Sequence, residues 1–368
     1  MNQKLSLDVA LSSYDFAYPE ELLAIEPSAV RDDCRLLVFN RGSGEVSHSQ
    51  FRDLSHYLKA GDCLVLNETK VLSCRLIGKK ASGGKADLLL VREISPGLWA
   101  ALGSGFKKGQ ELFFPGDLKA RVEDLNSEGE YVLRFDRVEI LAYMEREGFP
   151  PLPPYIVKKR KNSAPLAGGQ KKDGQSYQTV YAENLGSIAA PTAGLHFTPE
   201  LLSQLEKSGI VICRLTLHVG RGTFKPIVNE DIRSHKMLPE YFYIDKENLS
   251  KLRDAQKRGG RIVAVGTTAT RTLETLAMQG FISVSSDYDG APEKSEIDEI
   301  RGLADLFIYP GHEFKAVSAL ITNFHLPQST PLILASAMVG REKLLSLYQE
   351  AFALRYHLFS YGDAMLIL

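Results

Sequence analysis

The stretch VAVGTTATRTLE, Val263 to Glu274, decides the fold: an apolar β-type run meets Gly266, and Thr267 and Thr268 then open a helical pattern. A strand, a tight turn and a helix in that order form the unit from which an α/β layer is built. Free N–H groups and the helix dipole at such a turn favour an anion. Plain N-capping by threonine accounts for the same residues. Arg271, one turn on, would add a fixed positive charge suited to a carboxylate or phosphate. Three further segments also join an apolar run to small, turn-forming and polar residues: PTAGLHFT (Pro191 to Thr198), LHVGRGTF (Leu217 to Phe224) and TNFHLPQST (Thr322 to Thr330). Each of these holds a histidine, and loops of this texture at strand ends hold ligands.

Outward from these segments the pattern alternates. Helices are expected at Pro199 to Lys207, Lys246 to Lys257, Thr268 to Met278, Thr330 to Val339 and Glu342 to Phe352. Strands are expected at Ile210 to Leu217, Arg261 to Val265, Leu306 to Tyr309 and Ala364 to Leu368. Near the N-terminus, Leu36 to Phe39, a Gly-bearing turn and Glu45 to His48 read as a hairpin. A short amphipathic helix, Phe51 to Leu58, and a strand, Cys63 to Leu66, follow. From Cys74 to Asp136 short β-type runs are separated by Gly-rich turns with no helix between them, the pattern of a small β-barrel or sandwich. A helix, Val138 to Glu147, closes that region, and GFPPLPPYI (Gly148 to Ile156) punctuates the chain. The expected fold is therefore an α/β domain, residues 1–72 plus 150–368, with an inserted small β-barrel domain, residues 73–149. Such an insertion would place a cleft at the junction.

The chain has 368 residues, 44% of them hydrophobic, and a net charge of −1. That suits a soluble, two-domain protein and gives no support to a dedicated nucleic-acid coat. The apolar runs are too short for a membrane span, and the mixed, polar start reads as lacking an export signal. Cys34, Cys63, Cys74 and Cys213 form no close pair and no zinc spacing, so reduced thiols in the cytoplasm are expected. Lys158, Lys159, Arg160, Lys161, Lys171 and Lys172 crowd one stretch, 158–172, that reads either as a solvated loop or as a mobile arm meeting phosphates. The acidic stretch Asp287 to Glu299 reads as a surface loop.

Gly220-x-Gly222 lacks the third glycine of a dinucleotide fingerprint, and Pro226 follows where a helix should open. The absence of HExxH excludes the commonest zinc-hydrolase helix, and the absence of G-x-S-x-G excludes an α/β-hydrolase elbow. No metal site is expected. A lone histidine among apolar residues is usually a hydrogen-bonded structural residue; His196, His218 and His325 at the mouths of adjacent strands point to catalysis.

At this point the chain resembles the S-adenosylmethionine:tRNA ribosyltransferase-isomerase family of queuosine biosynthesis. The resemblance runs nearly end to end. It covers Arg31-Asp32-x-x-Arg35-Leu36-Leu37, Phe51-Arg-Asp-Leu54, Leu66-Asn-Glu-Thr69, Ser82-Gly-Gly-Lys85, Pro151 to Ile156, Tyr177 to Tyr181, the four segments above, Leu306 to Gly311 and Phe359 to Met365. Lys70 stands where the family usually has Arg, and Leu238 replaces a frequent second histidine after His235. The loops at 158–172 and 283–300 are not part of the family pattern.

The resemblance implies a transferase acting on tRNA that carries 7-aminomethyl-7-deazaguanine at the anticodon wobble position. The ribosyl part of S-adenosylmethionine is transferred and isomerised onto the aminomethyl nitrogen, giving epoxyqueuosine-tRNA, adenine and methionine. S-adenosylmethionine is consumed as a substrate, with no separate cofactor, and the protein is expected to be a cytoplasmic monomer. Such chemistry needs an acid/base pair, an anion site for the methionine carboxylate and a face for the sulfonium, for which Phe197, Phe224 and Phe324 are candidates. Candidate catalytic residues are His196, His218 and His325. Candidate substrate-binding residues are Arg31, Asp32, Arg35, Asn67, Thr69, Thr192, Gly194, Phe197, Gly220, Gly222, Thr223, Phe224, Glu240, Gly266, Thr267, Thr268, Arg271 and Asn323. Two other readings stay open: a tRNA-binding protein without catalysis, and a methyltransferase using the same donor.

Overall fold

A computed structural model describes residues 6, 8–161, 169–224, 226–282 and 299–368, without the side chains of 161, 169–172, 223 and 224. In chain order the strands are β1 (Arg35–Phe39), β2 (Val46–Gln50), β3 (Cys63–Asn67), β4 (Thr69–Val71), β5 (Arg75–Lys80), β6 (Lys85–Ser95), β7 (Leu98–Leu102), β8 (Glu111–Phe114), β9 (Leu118–Leu125) and β10 (Tyr131–Phe135). They continue as β11 (Asn184–Ser187), β12 (Val211–Leu217), β13 (Glu240–Asp245), β14 (Ile262–Val265), β15 (Glu299–Ala304), β16 (Ala319–Asn323) and β17 (Ala364–Ile367). The α-helices are α1 (Ile140–Glu147), α2 (Pro154–Lys161), α3 (Gly169–Ser176), α4 (Pro199–Lys207), α5 (Lys246–Lys257), α6 (Gly266–Met278), α7 (Thr330–Val339) and α8 (Arg341–Ala353).

The chain divides into two compact units, one comprising 1–70, 179–184 and 190–368, the other 71–178 and 185–189. The first unit carries a nine-stranded sheet among the described residues, in the order β15-β13-β12-β3-β14-β16-β17-β1-β2. β12, β3, β14 and β16 run parallel to one another. β17 lies antiparallel to β16 and parallel to β1, so the hairpin β1–β2 enters the sheet through β17. Leu64, Leu66, Val263, Val265, Ile321, Leu366, Leu36 and Val38 sit at alternate strand positions and form one apolar face. Phe51, Leu54, Phe197, Leu201 and Leu205 close over it. Period-two spacing puts these side chains on one side of the sheet, and the intervening positions are buried too, as expected of parallel strands covered on both faces.

In the second unit β10-β7-β6-β5-β8-β9 close into an antiparallel barrel. Each β-type run read between Cys74 and Asp136 became one of its strands. Leu76, Leu88, Leu90, Leu112, Val122 and Leu133 are buried. Closure removes the sheet edges that Gly-rich turns alone would leave open. This unit extends past residue 149, the expected limit of the insertion, to include α2 and α3.

Four local readings need correction. Phe51 to Leu58 forms a 3₁₀ helix, Phe51–His56, with a capping box in which Gln50 and Asp53 satisfy each other's backbone N–H. Leu306 to Tyr309 is not a strand; the pairing strand is β15, which joins β13 from Glu240↔Ala304 to Asp245↔Glu299. The run of prolines before Ile156 does not only punctuate, because Pro154 opens α2, where its missing N–H costs nothing. The 158–172 stretch is helical at 158–161 and 169–172, and Arg160 pairs with Asp173 at 2.8 Å. Residues 162–168 and 283–298 lie outside the described residues, as do the side chains of Lys161, Lys171 and Lys172.

Candidate active site at the carboxyl edge of the sheet

Because β12, β3, β14 and β16 are parallel, Leu217, Asn67, Val265 and Asn323 end on one edge of the sheet. The segments that follow carry His218, Thr69 at the start of β4, Gly266 to Thr268 in the first turn of α6, and His325. Ligands of open α/β sheets bind in this crevice. The end of β12 lies three strand spacings from that of β16, roughly 14 Å along the sheet. That span suits an extended small molecule. The 3₁₀ helix Thr192–His196 packs on β16 and α6 and brings the PTAGLH segment to the same edge.

Asn67 is the hub of this edge. Its amide donates to Leu217 O and to Thr268 Oγ1, each at 3.1 Å. Its Oδ1 accepts from the backbone N–H groups of Leu217 at 3.0 Å and Thr69 at 3.2 Å. Asn67 is fully buried with both ends of its amide used, so it ties three strand ends together and offers nothing to a ligand. Gly266 has φ +83°, a left-handed backbone, and its missing Cβ faces Ala193. The N-cap of α6 is Val265, with no side-chain cap. Threonine N-capping is therefore not what Thr267 and Thr268 do, and no side chain caps the first turn of α6.

The three histidines differ. His218 is half-buried, its Nδ1 lies 2.8 Å from Thr69 Oγ1, and burial lowers its pKa. Its ring stacks on Tyr241 with centroids 5.8 Å apart and planes 22° apart. His325 is held by Thr322 Oγ1, 2.7 Å from Nε2, and by Tyr348 OH, which accepts its backbone N–H at 2.8 Å. Burial pushes the His325 pKa down to about 3. His196 is buried, with Nδ1 3.1 Å from Cys34 Sγ. Burial pushes its pKa down to about 4, with Asn323 acting the other way. His196 Nε2 and Asn323 Oδ1 have no hydrogen-bond partner within the described residues. Asn323 Nδ2 donates to Phe359 O at 2.8 Å.

The expected anion-binding arginine is committed elsewhere. Arg271 is buried; it forms an ion pair with Glu240 and donates to Leu306 O at 3.1 Å and Ala304 O at 2.8 Å. Glu240 also accepts the Gly220 N–H at 2.9 Å. Both residues are held by these protein contacts at the edge of the site. Arg31 donates to Leu195 O at 3.1 Å, and Asp32 accepts from Thr198 Oγ1 at 3.2 Å, so this pair positions the PTAGLH segment. Arg35 lies 3.9 Å over the Tyr356 ring and donates to Leu354 O. Thr192 opens the 3₁₀ helix and is half-buried. A Cβ on Gly194 would meet Tyr181 OH at 2.1 Å, so this glycine serves packing. A Cβ on Gly222 would come 3.3 Å from Leu238 Cβ. Phe197 and Phe324 are core residues, packed on Phe51 and on Tyr348 respectively, and present no face to a sulfonium. The side chains of Thr223 and Phe224 lie outside the described residues.

Three residues at this edge escaped the sequence reading. Cys34 sits within the Arg31-Asp-x-x-Arg35 motif at an unspecified position. Tyr241, 39% exposed, presents a half-open aromatic face at this edge; only the β12–β13 register, Leu217↔Phe242, reveals that it faces His218. Glu68, within Leu66-Asn-Glu-Thr69, is buried, and burial followed by Glu183 raises its pKa. Among the described residues no cluster of His, Cys, Asp or Glu could hold a metal ion, and no helix is long and apolar enough to cross a membrane.

The chain matches the queuosine biosynthesis protein family over residues 11–367. It is 45% identical over 361 residues to the S-adenosylmethionine:tRNA ribosyltransferase-isomerase of Thermotoga petrophila, with 97% of this chain and 99% of the relative covered. It is 44% identical over 363 residues to the protein of the same name from a Thermoanaerobacter species, at the same coverage. A solved structure, the S-adenosylmethionine tRNA ribosyltransferase of Thermotoga maritima, superposes with a TM-score of 0.52 at 35% identity, covering 96% of this chain and 99% of the other.

Proposed function

The chain belongs to the queuosine biosynthesis protein family, and on that premise we propose that the carboxyl-edge crevice of its sheet is where S-adenosylmethionine is consumed. The enzyme is a transferase: it transfers and isomerises the ribosyl part of S-adenosylmethionine onto the 7-aminomethyl-7-deazaguanine base of tRNA, giving epoxyqueuosine-tRNA, adenine and methionine. The observation that carries the site is the gathering, along one sheet edge, of His218, the uncapped turn of α6 and the His196–Asn323 pair.

The chemistry assigns roles to these groups. The sulfonium acidifies the C5′ protons, and a general base removes one. His218 is the base, since of the three histidines it is the least buried, and with Nδ1–H donating to Thr69 its Nε2 carries the lone pair. His325, with a pKa near 3, is too weak a base for this task. Adenine then leaves while a donor hydrogen-bonds or protonates it, the neutral aminomethyl nitrogen of the tRNA base forms the new C–N bond and gives up a proton, and methionine departs as a neutral thioether as the epoxide C–O bond closes. The first turn of α6, Gly266 to Thr268, holds the methionine carboxylate. Tyr241 gives the sulfonium an aromatic face. The anticodon loop brings the wobble base to this edge, the protein works as a cytoplasmic monomer, and no cofactor beyond the consumed S-adenosylmethionine takes part.

The test is to mix protein, S-adenosylmethionine and precursor tRNA and to look for adenine by chromatography. Adenine release with the labelled methyl group remaining in methionine is the expected result. Methyl transfer to tRNA, or tRNA binding without adenine release, refutes this assignment.

A further inference from the structure

His196, at the carboxyl edge of the sheet, has no carboxylate among the described residues to fix its tautomer. We propose that Cys34 is a positioning residue whose S–H holds Nδ1 of His196 as an acceptor, so that the imidazole presents a fixed N–H at Nε2. Sγ and Nδ1 are 3.1 Å apart and both residues are buried. Burial raises the thiol pKa well above its ordinary value, so the thiol keeps its proton and has one to give. A thiol is a weak acceptor, so the favoured direction is S–H to the imidazole lone pair. Nε2 must then carry the ring's one proton.

The other side of the ring agrees with this. Asn323 Nδ2 is committed to Phe359 O at 2.8 Å, which turns Oδ1, an acceptor, to the unpartnered side of the amide. Oδ1 and His196 Nε2 are both buried, and neither meets the geometry of a hydrogen bond with another of the described residues. Asn323 acts on the His196 ring as a hydrogen-bonding neighbour, and an Nε2–H turned towards the Oδ1 acceptor is the arrangement that the proposed tautomer gives. Cys34 and Phe359 O thus fix the two ends of a Cys34–His196–Asn323 series, the thiol setting the ring tautomer and the carbonyl setting the amide. His218 differs: its partner Thr69 can accept as well as donate, and the ring can present a lone pair.

The proposal rests on the functional reading only for its effect on rate; the tautomer is measurable alone. Histidine ¹⁵N NMR of the full-length protein should show His196 protonated at Nε2. Cys34→Val should lose that tautomer or mix it, and Cys34→Ser, which keeps a donor at nearly the same place, should retain it. In adenine release, Cys34→Val should lower kcat by at least about tenfold with little change in KM for S-adenosylmethionine, and Cys34→Ser should recover most of that loss. A wild-type His196 protonated at Nδ1, or a folded Cys34→Val that keeps wild-type kcat, overturns the proposal. A wild-type protein that releases no adenine overturns the functional reading instead, and the NMR result then decides the tautomer independently.

Discussion

Glu240 and Arg271 form a buried ion pair in which each partner is also tied to the backbone: Glu240 to Gly220 N–H, and Arg271 to Leu306 O and Ala304 O. The pair joins β13, the loop after β12, helix α6 and the segment after β15. Its value lies in what breaking it would expose. Removing one partner leaves an uncompensated charge in the interior, whereas an intact pair adds little net stability.

Arg271→Ala is therefore expected to destabilise the protein by about 3–5 kcal/mol, read as a lower denaturant midpoint. Glu240→Gln should have a similar sign. The double variant Glu240→Gln with Arg271→Met should cost less than the sum of the two single changes, because neither then leaves a lone charge. A fully stable Arg271→Ala with a raised KM for S-adenosylmethionine would instead make Arg271 a ligand contact.

His218→Gln should slow adenine release by roughly a hundredfold while the fold is retained. A general base works in its neutral form, and burial lowers the His218 pKa below its usual 6.5. Activity should hold through neutrality and fall only on the acid side of that value. His325→Gln should leave this acid limb in place, since a group with a pKa near 3 is neutral throughout. A wild-type rate in folded His218→Gln would remove the assignment.

Acid should destabilise the protein through its buried histidines. The folded pKa values of about 4 for His196 and about 3 for His325 lie below the unfolded value of 6.5. The unfolded chain therefore binds more protons as pH falls below 6.5, and stability drops with it until the folded pKa is reached. Above 6.5 this contribution is fully present. Unfolding free energy measured from pH 7 to 4 should fall less steeply in His325→Gln than in the wild type. Equal slopes would show that His325 does not titrate on unfolding.

Lys158→Ala with Lys159→Ala should weaken tRNA binding and flatten its salt dependence by about 0.7–0.9 in logarithmic slope per lost phosphate contact. Affinity for S-adenosylmethionine should not change. Arg160 is left intact because its pair with Asp173 supports the local helices. Unchanged tRNA affinity at low salt would make this stretch a solvated surface.

The fold was legible wherever hydrophobic period and turn chemistry agreed. The barrel strands alternate and end at glycines, and Val263 to Glu274 announces strand, turn and helix in one line. Legibility failed where a partner far along the chain decides the outcome. Leu306 to Tyr309 has strand-like composition, yet the residues that pair with β13 are Glu299 to Ala304, beside an acidic stretch that hides them. Arg271 lies one turn into α6, as an anion ligand should, but nothing local shows that Glu240 reaches it. Phe197 and Phe324 flank histidines in sequence while pointing into the core. For the candidate site, the segments were readable; the division of their residues into those that bind and those that brace was not, because bracing is made of contacts between segments.

The placement of β17 between β16 and β1 has a consequence for the newly made chain. The backbone N–H of Arg35, at the start of β1, is bonded to Asp363, 328 positions away. While the ribosome is still making the intervening residues, the hairpin β1–β2 has no sheet to join, and one edge of it stays open. The barrel, built from neighbours in sequence, can close long before. A half-made chain would thus carry a finished barrel beside an unpaired strand edge, the state in which chaperones have most to protect.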